Sequence, residues 1–298
     1  MNQAIIFALT IIAVLFSPVS FAATKDLNWV GCGISKKAYM TDLAQAFEEE
    51  KKIKINIQGG GATKGIREVA AGTSDLGGSC RFHLPDNDQE MTVGFEPVAW
   101  DALVVIVHKD NPVSNINLTE VRDLLLGKIT NWSQLGGPSA PIKLFVRKGK
   151  ISGVGYTVRK LVFANNNQEF VATKEFDSTG PLEKAVEEDP LAIAISGISS
   201  AQQRNVKMLS LNQRTPDYDN IKSGQYVLYR PLFITYNPAS PNIEEIRDFI
   251  KFAHSTTGRR IMKKNGVVPY LEALRLVMKQ VEQDKRAQKL SNQELTYE

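Results

Sequence analysis

The chain has 298 residues, of which 43% are hydrophobic and 23% are charged, a composition typical of soluble globular proteins. This length fits about two domains and excludes a small scaffold that depends on disulfides or metals for its stability. The formal net charge of +4 is too small for a surface that follows nucleic-acid phosphates, so no nucleic-acid partner is expected.

The first 22 residues have the features of a secretory signal peptide. An apolar run from Ala4 to Phe16 is interrupted only by Thr10, and small residues follow at positions 20–22. A run of about 13 residues is too short to span a bilayer, which needs about 20. We therefore expect cleavage after Ala22 or close by, and a periplasmic mature protein. The segment before the run has no Lys or Arg, which leaves an uncleaved anchor as the alternative.

Beyond residue 22, short β-branched runs alternate with amphipathic segments, which predicts an α/β fold with a mostly parallel sheet. The apolar run Ala102 to Val107 indicates a strand that is buried on both faces. The other strands are predicted at 27–30, 54–57, 75–79, 142–146, 192–195, 206–209 and 227–236. Helices are predicted at 39–50, 63–71, 118–126, 156–164, 181–188, 243–254 and 271–285.

Three glycine-rich turns that follow predicted strands have the composition of anion-binding sites. They span residues 31–35, 59–65 and 147–153. Each combines backbone N–H groups near a helix start with a hydroxyl side chain, and helix N-termini favour anions through their free donors and dipole. One such turn is usually only a turn, but three in one chain favour a shared anion. None is a nucleotide P-loop, because Gly65 is followed by Ile66.

The third turn lies in a basic stretch from Lys128 to Gln168, which holds seven Lys and Arg residues and no acid. A solvated basic face and a ligand-facing surface both explain such a stretch.

The two cysteines, Cys32 and Cys80, are candidates for a disulfide if the protein is exported to an oxidising compartment. A metal site formed by these cysteines and His83 would have too few ligands at irregular spacing, so no metal is expected. The sequence contains no nucleophile elbow, zinc-protease motif or paired-carboxylate pattern. We therefore expect a binding protein without a cofactor. A secreted phosphatase or a thiol enzyme that uses Cys80 is a less favoured alternative.

Several stretches resemble the periplasmic phosphate-binding component of bacterial high-affinity phosphate ABC transporters. They are residues 101–107, 110–114 and 127–132, with further matches at 66–77, 230–232 and 266–269. The resemblance covers nearly the whole chain beyond the signal segment. It implies a two-lobed clamshell of the periplasmic-binding-protein type, in which each lobe is a mostly parallel sheet flanked by helices and two crossover strands join the lobes. The implied boundaries are 23–98 plus 228–298 for lobe I and 99–227 for lobe II.

The resemblance also implies a ligand, a partner and a set of binding residues. The ligand would be inorganic phosphate or a related oxyanion such as sulfate, and the partner would be the membrane permease of an ABC importer. We expect a monomer; a sensor or scavenging module on the same fold is the alternative. The first lobe would contribute Ser35 with the Lys36 amide, Ala62 or Thr63, and Ser79 with Cys80. The second would contribute Ser152, Gly153 and an arginine, for which Arg147 is the candidate and Lys148 the alternative.

Three positions depart from the pattern of this family. Cys80 stands where the family usually has an aspartate that accepts a phosphate proton, Val154 replaces a threonine, and Ala62 removes another hydroxyl. Arg81, together with Lys36 and Lys64, is a possible replacement. These changes predict selectivity that is weakened or shifted towards a more highly charged anion. The resemblance also brings Cys32 and Cys80 to neighbouring strand ends, which implies a disulfide that rigidifies the binding turns.

Overall fold

The computed structural model describes residues 26–295, with side chains described as far as Asn292. The predicted signal peptide, residues 1–22, lies outside this range. Within it, no helix combines the length and the apolar character that a membrane crossing requires.

The described residues form twelve strands. In chain order they are β1 (Leu27–Gly31), β2 (Ile55–Gly59), β3 (Leu76–Ser79), β4 (Gly94–His108), β5 (Asn115–Ile116), β6 (Lys143–Arg147), β7 (Lys174–Phe176), β8 (Ala192–Gly197), β9 (Val206–Met208), β10 (Ser210–Leu211), β11 (Tyr229–Tyr236) and β12 (Val268–Pro269).

Ten of these strands form one curled sheet in the order β2-β1-β3-β11-β4-β8-β6-β7, and β9 and β12 pair with β4 outside this path. The pairs β1–β2, β1–β3, β6–β7 and β6–β8 are parallel. The 15-residue strand β4 runs antiparallel to β11 up to Ala102 and to β8 from Leu103 onwards. We call the part built on β1–β3 the first lobe and the part built on β6–β8 the second lobe; β4 and β11 join them.

Helices cover both lobes. The α-helices are Gly33–Ser35, Thr41–Lys51, Ala62–Ala70, Asp88–Met91, Leu118–Leu125, Gly153–Val158, Thr179–Glu188, Ile198–Ala201, Tyr218–Ser223, Ile243–His254, Thr256–Lys264 and Arg275–Leu295. The π-helical turns Lys36–Met40 and Arg159–Phe163 continue two of them, and the 3₁₀ turns are Trp132–Leu135 and Tyr270–Ala273. This alternation of strand and helix confirms the predicted α/β class.

The turns at the ends of β1 and β3 are held close together by Trp29. A Cβ atom added at Gly78 would lie 2.1 Å from the buried Trp29 ring, and one added at Gly31 would lie 2.4 Å from it. Only glycine leaves room for the indole at both positions. The tryptophan therefore fixes the strand tips from which the first candidate turn departs.

The largest difference from the sequence prediction concerns β4. The apolar run predicts a strand from Ala102, but the strand begins at Gly94 because its first half pairs with β11. Pro97 is accommodated within this strand opposite Phe233, where the register of the pair shifts. The helix Thr256–Lys264 was also not predicted, because its exposed face is strongly polar.

Candidate functional site

A cavity of about 190 Å³ lies where turns of the two lobes meet. It is lined by Cys32, Gly60, Gly61, Ala62, Thr63, Cys80, Arg147, Lys148, Gly149, Ile151, Ser152, Gly153, Val154 and Thr179. A water molecule occupies about 30 Å³ of liquid, so this volume accommodates a small polyatomic ion. Among the described residues that line it, none is Asp or Glu, while two are cations.

Four helices begin at this cavity: those starting at Gly33, Ala62, Gly153 and Thr179. The first backbone N–H groups of a helix have no acceptor within the helix, so they are available to an anion. The first two turns are tied together, because the amides of Gly60 and Gly61 both donate to the carbonyl of Gly31 at 3.1 Å. Three of these turns were predicted from the sequence, and the one at Thr179 was not.

The two lobes touch beside the cavity at Cys80 and Gly153. A Cβ atom added at Gly153 would lie 2.2 Å from the Cys80 sulfur and 3.3 Å from the Cβ atom of Ala62. Glycine at this position therefore allows the first turn of the Gly153 helix to reach the opposite lobe. The Thr157 hydroxyl donates to the carbonyl of Gly153 at 2.8 Å and lies 3.4 Å from that of Cys80.

Arg147 is fixed on the second lobe at the end of β6. Its guanidinium donates to the carbonyls of Phe176 and Asp177 at 3.2 and 2.6 Å and to the hydroxyl of Thr179 at 3.1 Å. Burial lowers the pKa of Arg147, and the sulfur atoms of Cys80 and Cys32 oppose this effect. By contrast, the side chain of Lys148 is 66% exposed and lies 3.8 Å from Asp177.

Arg230 lies beneath the contact between the lobes and is 3% exposed. Its Nη1 atom donates to the carbonyls of Cys80 and Gly153, at 3.2 and 3.0 Å, and its Nη2 atom lies 3.2 Å from a carboxylate oxygen of Asp101. Burial raises the pKa of the Asp101 carboxyl, and the charge of Arg230 opposes this effect. Sequence reasoning placed Arg230 and Asp101 only in matching stretches and assigned no role to either.

Cys32 and Cys80 lie side by side, but the disulfide predicted between them requires correction, because both are free, buried thiols in the structure. The Cys32 sulfur instead caps the first helix: it accepts from the amide of Ser35 at 3.3 Å and lies 3.1 Å from the Ser35 hydroxyl. Burial raises the pKa of Cys32, but hydrogen bonds from Cys80 and Ser35 and the charge of Arg230 outweigh this effect and lower the pKa to about 6. The hydrogen bond to Cys32 and burial raise the pKa of Cys80.

Arg81 was expected to compensate for lost ligand contacts, but the structure uses it differently. Its guanidinium forms a buried two-point ion pair with Glu90, at 2.7 and 2.8 Å. The Nε atom donates to the carbonyl of Ile151 on the second lobe at 3.1 Å, and Nη2 donates to the Thr63 hydroxyl at 3.2 Å. Arg81 therefore joins the two lobes and does not line the cavity. Glu90 lies on a short helix and has no sequence signal for this role.

The remaining predicted residues divide into two groups. Thr63 and Ser152 line the cavity, but their hydroxyls already donate to the carbonyls of Ile151 and Gly149, both at 3.1 Å. Ser35, Lys36 and Ser79 lie behind the lining. The Lys36 amide donates to the carbonyl of Cys32 at 3.0 Å, and the Ser79 hydroxyl donates to that of Arg81 at 2.6 Å. In this structure these three hydroxyls and the Lys36 amide therefore have acceptors within the protein.

A larger cavity, of about 570 Å³, lies on the other side of Cys80 and Arg230. Part of its wall is an aromatic cluster in which Phe82, Phe95 and Phe233 contact one another at centroid distances of 4.9–5.6 Å. The rest is largely polar and includes the carboxylate of Asp284. The smaller cavity is the candidate site, because the three predicted anion-binding turns line it and no carboxylate does. No group of three or more His, Cys, Asp and Glu side chains in residues 26–292 is arranged to hold a metal ion.

The two-lobed α/β fold with a small, donor-rich cavity between its lobes defines a class: the solute-binding proteins that close around their ligand. The comparison with protein families gives the same assignment. The model described as the PBP superfamily domain matches residues 31–257, which is most of the chain. The chain therefore belongs to the PBP superfamily, and the resemblance found in the sequence is confirmed.

Several relatives are named phosphate-binding proteins. The PstS protein of Bacillus subtilis is 27% identical over 251 residues, which cover 83% of this chain and 81% of that protein. The PstS protein of Borreliella burgdorferi is 28% identical over 180 residues, covering 56% of this chain and 63% of that protein. These names confirm a binding protein in place of an enzyme.

Solved structures agree with this assignment. A putative phosphate ABC transporter substrate-binding protein from Clostridium perfringens, determined with bound phosphate, has a TM-score of 0.76 and 26% identity; the match covers 82% of this chain and 99% of that one. An ABC-type phosphate transport receptor from Vibrio cholerae shares the fold, with a TM-score of 0.61 and 24% identity over 81% of this chain and 99% of that one. The predicted clamshell fold is thus confirmed.

Proposed function

We propose that this protein is a periplasmic solute-binding protein that captures inorganic phosphate, or a related oxyanion such as sulfate, for an ABC importer. The observation that carries the proposal is the convergence of helix N-termini from both lobes, together with Arg147, on one cavity without carboxylates. Fixed N–H dipoles and a guanidinium favour a compact anion. The bound phosphate in the similar Clostridium perfringens protein supports the same ligand class.

We infer that the ion is held by two groups of donors. From the first lobe, the amides at Ala62 and Thr63 and the thiol of Cys80 would contact it. From the second, Arg147, Ser152 and the amide of Gly153 would do so. Cys80 lines this site without a carboxylate beside it, so no aspartate repels a fully ionised anion there.

Isothermal titration calorimetry of the purified protein with phosphate, sulfate and nitrate tests this proposal. We expect phosphate or sulfate to bind and Arg147→Ala to weaken binding at least tenfold, because each charge-assisted hydrogen bond contributes about 1.5–3 kcal/mol. Lys148→Ala is the matched control, because this neighbouring cation is largely exposed, and we expect less than a threefold change. Absence of binding by all three anions would refute the proposal, and a larger effect of Lys148→Ala would refute the assignment of Arg147.

The lobe boundaries, location and partner follow from the same proposal. We infer that residues 23–98 and 228–298 form one lobe and 99–227 the other, that the chain is exported as a monomer, and that the closed lobes dock on a membrane permease. Cell fractionation with mass determination of the mature N-terminus tests the export. Loss of high-affinity phosphate or sulfate uptake on deletion of the gene tests the transport role; unchanged uptake would contradict it.

A further inference from the structure

The C-terminal helix, Arg275–Leu295, and the turn before it carry an apolar stripe on their outer side. The stripe consists of five exposed side chains, with the exposed fraction of each given in brackets: Leu271 (47%), Leu274 (52%), Val277 (38%), Met278 (74%) and Val281 (54%). Positions 274, 277, 278 and 281 have the i, i+3, i+4, i+7 spacing of one helix face. Apolar side chains at this spacing are usually buried against a neighbour.

The opposite face of the helix already provides its contacts with the protein. Leu276 and Ala287 are fully buried, and the side-chain amide of buried Gln283 donates to the carbonyls of Val227 and Tyr229 at 2.8 and 3.0 Å. The helix is therefore anchored without the stripe. Its outer apolar face has no role in holding the described fold together.

The charges around the stripe are predominantly positive. The helix carries five cations between Arg275 and Lys289, namely Arg275, Lys279, Lys285, Arg286 and Lys289. Three acids lie between residues 271 and 289: Glu272 is paired with Lys263 at 2.8 Å, Asp284 lies 3.6 Å from Lys160, and Glu282 follows Val281 on the helix. An exposed apolar stripe with a cationic surround is typical of helices that lie on anionic lipid.

The size of the stripe argues against a second copy of the chain as its partner. Five such side chains expose on the order of 300–600 Å² of apolar surface. Each partner of a standard protein interface buries about 800 Å², and a second copy would bring the same cationic surround. A lipid surface requires no matching partner and complements the charge.

We propose that the stripe on the C-terminal helix binds the surface of a bilayer that contains anionic phospholipid. The five side chains enter the region between head groups and acyl chains, and the surrounding Lys and Arg side chains contact lipid phosphates. The contact leaves the cavity between the lobes untouched. It holds an exported receptor at the membrane in which an importer would lie.

Vesicle co-sedimentation tests this proposal. Protein is purified from the soluble extracytoplasmic fraction, its N-terminus is determined by mass spectrometry, and it is mixed with vesicles of phosphatidylglycerol and phosphatidylethanolamine or of phosphatidylcholine alone. We expect binding to the anionic vesicles. We expect Met278→Gln with Val281→Gln to weaken it at least tenfold, and Lys285→Gln with Lys289→Gln to weaken it about threefold or more.

The matched control is Val171→Gln, because Val171 is 63% exposed and lies on the second lobe outside the stripe. This variant should bind vesicles like the wild type, and all variants should keep the thermal unfolding midpoint and the anion affinity. Equal vesicle binding by the Met278/Val281 variant and the wild type would overturn the proposal, as would no binding to anionic vesicles. Self-association in sedimentation velocity that the Met278/Val281 variant abolishes, without vesicle binding, would assign the stripe to a second copy and also overturn it.

Discussion

Phosphate affinity should depend on the protonation of Cys32, because this thiol lines the cavity that we propose for the anion. Hydrogen bonds from Cys80 and Ser35 and the charge of Arg230 outweigh the effect of burial and lower the pKa of Cys32 to about 6. The lowered pKa favours the thiolate form of Cys32 in the free site at neutral pH. A bound anion repels that negative charge and raises the pKa of the thiol, so binding above pH 6 requires the uptake of a proton.

The magnitude follows from this linkage. Below the lowered pKa of Cys32, the thiol is protonated both in the free protein and in the complex with the anion. The affinity for phosphate therefore does not depend on the titration of Cys32 in this range. Above about pH 6, affinity falls by up to tenfold per pH unit, because one pKa unit corresponds to about 1.36 kcal/mol. Between pH 6 and pH 8 the loss would reach at most about 100-fold. The affinity continues to fall until the pH exceeds the pKa of the Cys32 thiol in the complex.

Calorimetric titration of wild type and Cys32→Ser with phosphate, from pH 5 to pH 8.5 with a phosphine reductant, isolates this effect. Serine keeps a side-chain oxygen that can cap the first helix but does not ionise in this range. The ionisation of phosphate itself is common to both proteins and cancels in the ratio of their affinities. We expect the ratio of Cys32→Ser to wild-type affinity to be flat below about pH 6 and to rise above it.

A ratio that stays constant across the whole range would refute the reasoning, because it would mean that Cys32 does not change its protonation on binding. Titrations in buffers of different ionisation enthalpy provide a second readout. The wild type should take up close to one proton more than the variant at pH 7.5. Equal proton uptake by the wild type and the variant would also mean that Cys32 does not change its protonation on binding.

Three further changes have defined outcomes. Gly153→Ala places a methyl group 2.2 Å from the Cys80 sulfur, so it should weaken phosphate binding at least tenfold in calorimetry, whereas Gly33→Ala, which has no neighbour within 4 Å, should change it less than threefold; equal effects would contradict the contact. Glu90→Ala leaves buried Arg81 without its ion partner and should reduce the free energy of unfolding in urea by about 3–5 kcal/mol. The control is Glu68→Ala, at a partly exposed residue, which should reduce it by less than about 1 kcal/mol; similar losses in the two variants would argue against the buried pair. Cys80→Asp should increase the ratio of phosphate to sulfate affinity, because a carboxylate accepts the phosphate proton and repels sulfate; an unchanged ratio in competitive titration would show that Cys80 does not set selectivity.

The sequence predicted the fold and much of the cavity because both depend on local patterns. Strand–turn–helix alternation identified β1, β2 and β6, and parallel strands bring the turns at their carboxyl ends to one edge of the sheet. The glycine-rich composition of those turns then indicated an anion. The turn at Thr179 was missed because it contains neither a glycine run nor a cation that would mark it.

The roles of Arg81 and the cysteines could not be predicted from the sequence, since they depend on long-range packing. Arg81 looked like a free cation beside the site, and its partner Glu90 lies on a four-residue helix that no pattern singles out. Cys32 and Cys80 were correctly expected to be neighbours. Their free thiol form was not predicted, because it depends on the surroundings of Cys32. The Cys32 sulfur accepts the hydrogen bond that caps a helix and lies near the buried guanidinium of Arg230.

Two buried arginines join the lobes beside the proposed anion site. Arg230 donates to a carbonyl of each lobe, at Cys80 and Gly153, and Arg81 reaches across to Ile151. Charge-assisted hydrogen bonds of this kind contribute about 1.5–3 kcal/mol each, and opening the lobes breaks them while exposing the groups to water. A ligand that contacts both Cys80 and Gly153 makes both contacts only when the lobes are closed. Its higher affinity for the closed form then shifts the population towards closure. We therefore expect the arginine hydrogen bonds to favour the closed arrangement in the empty protein and the bound anion to favour it further.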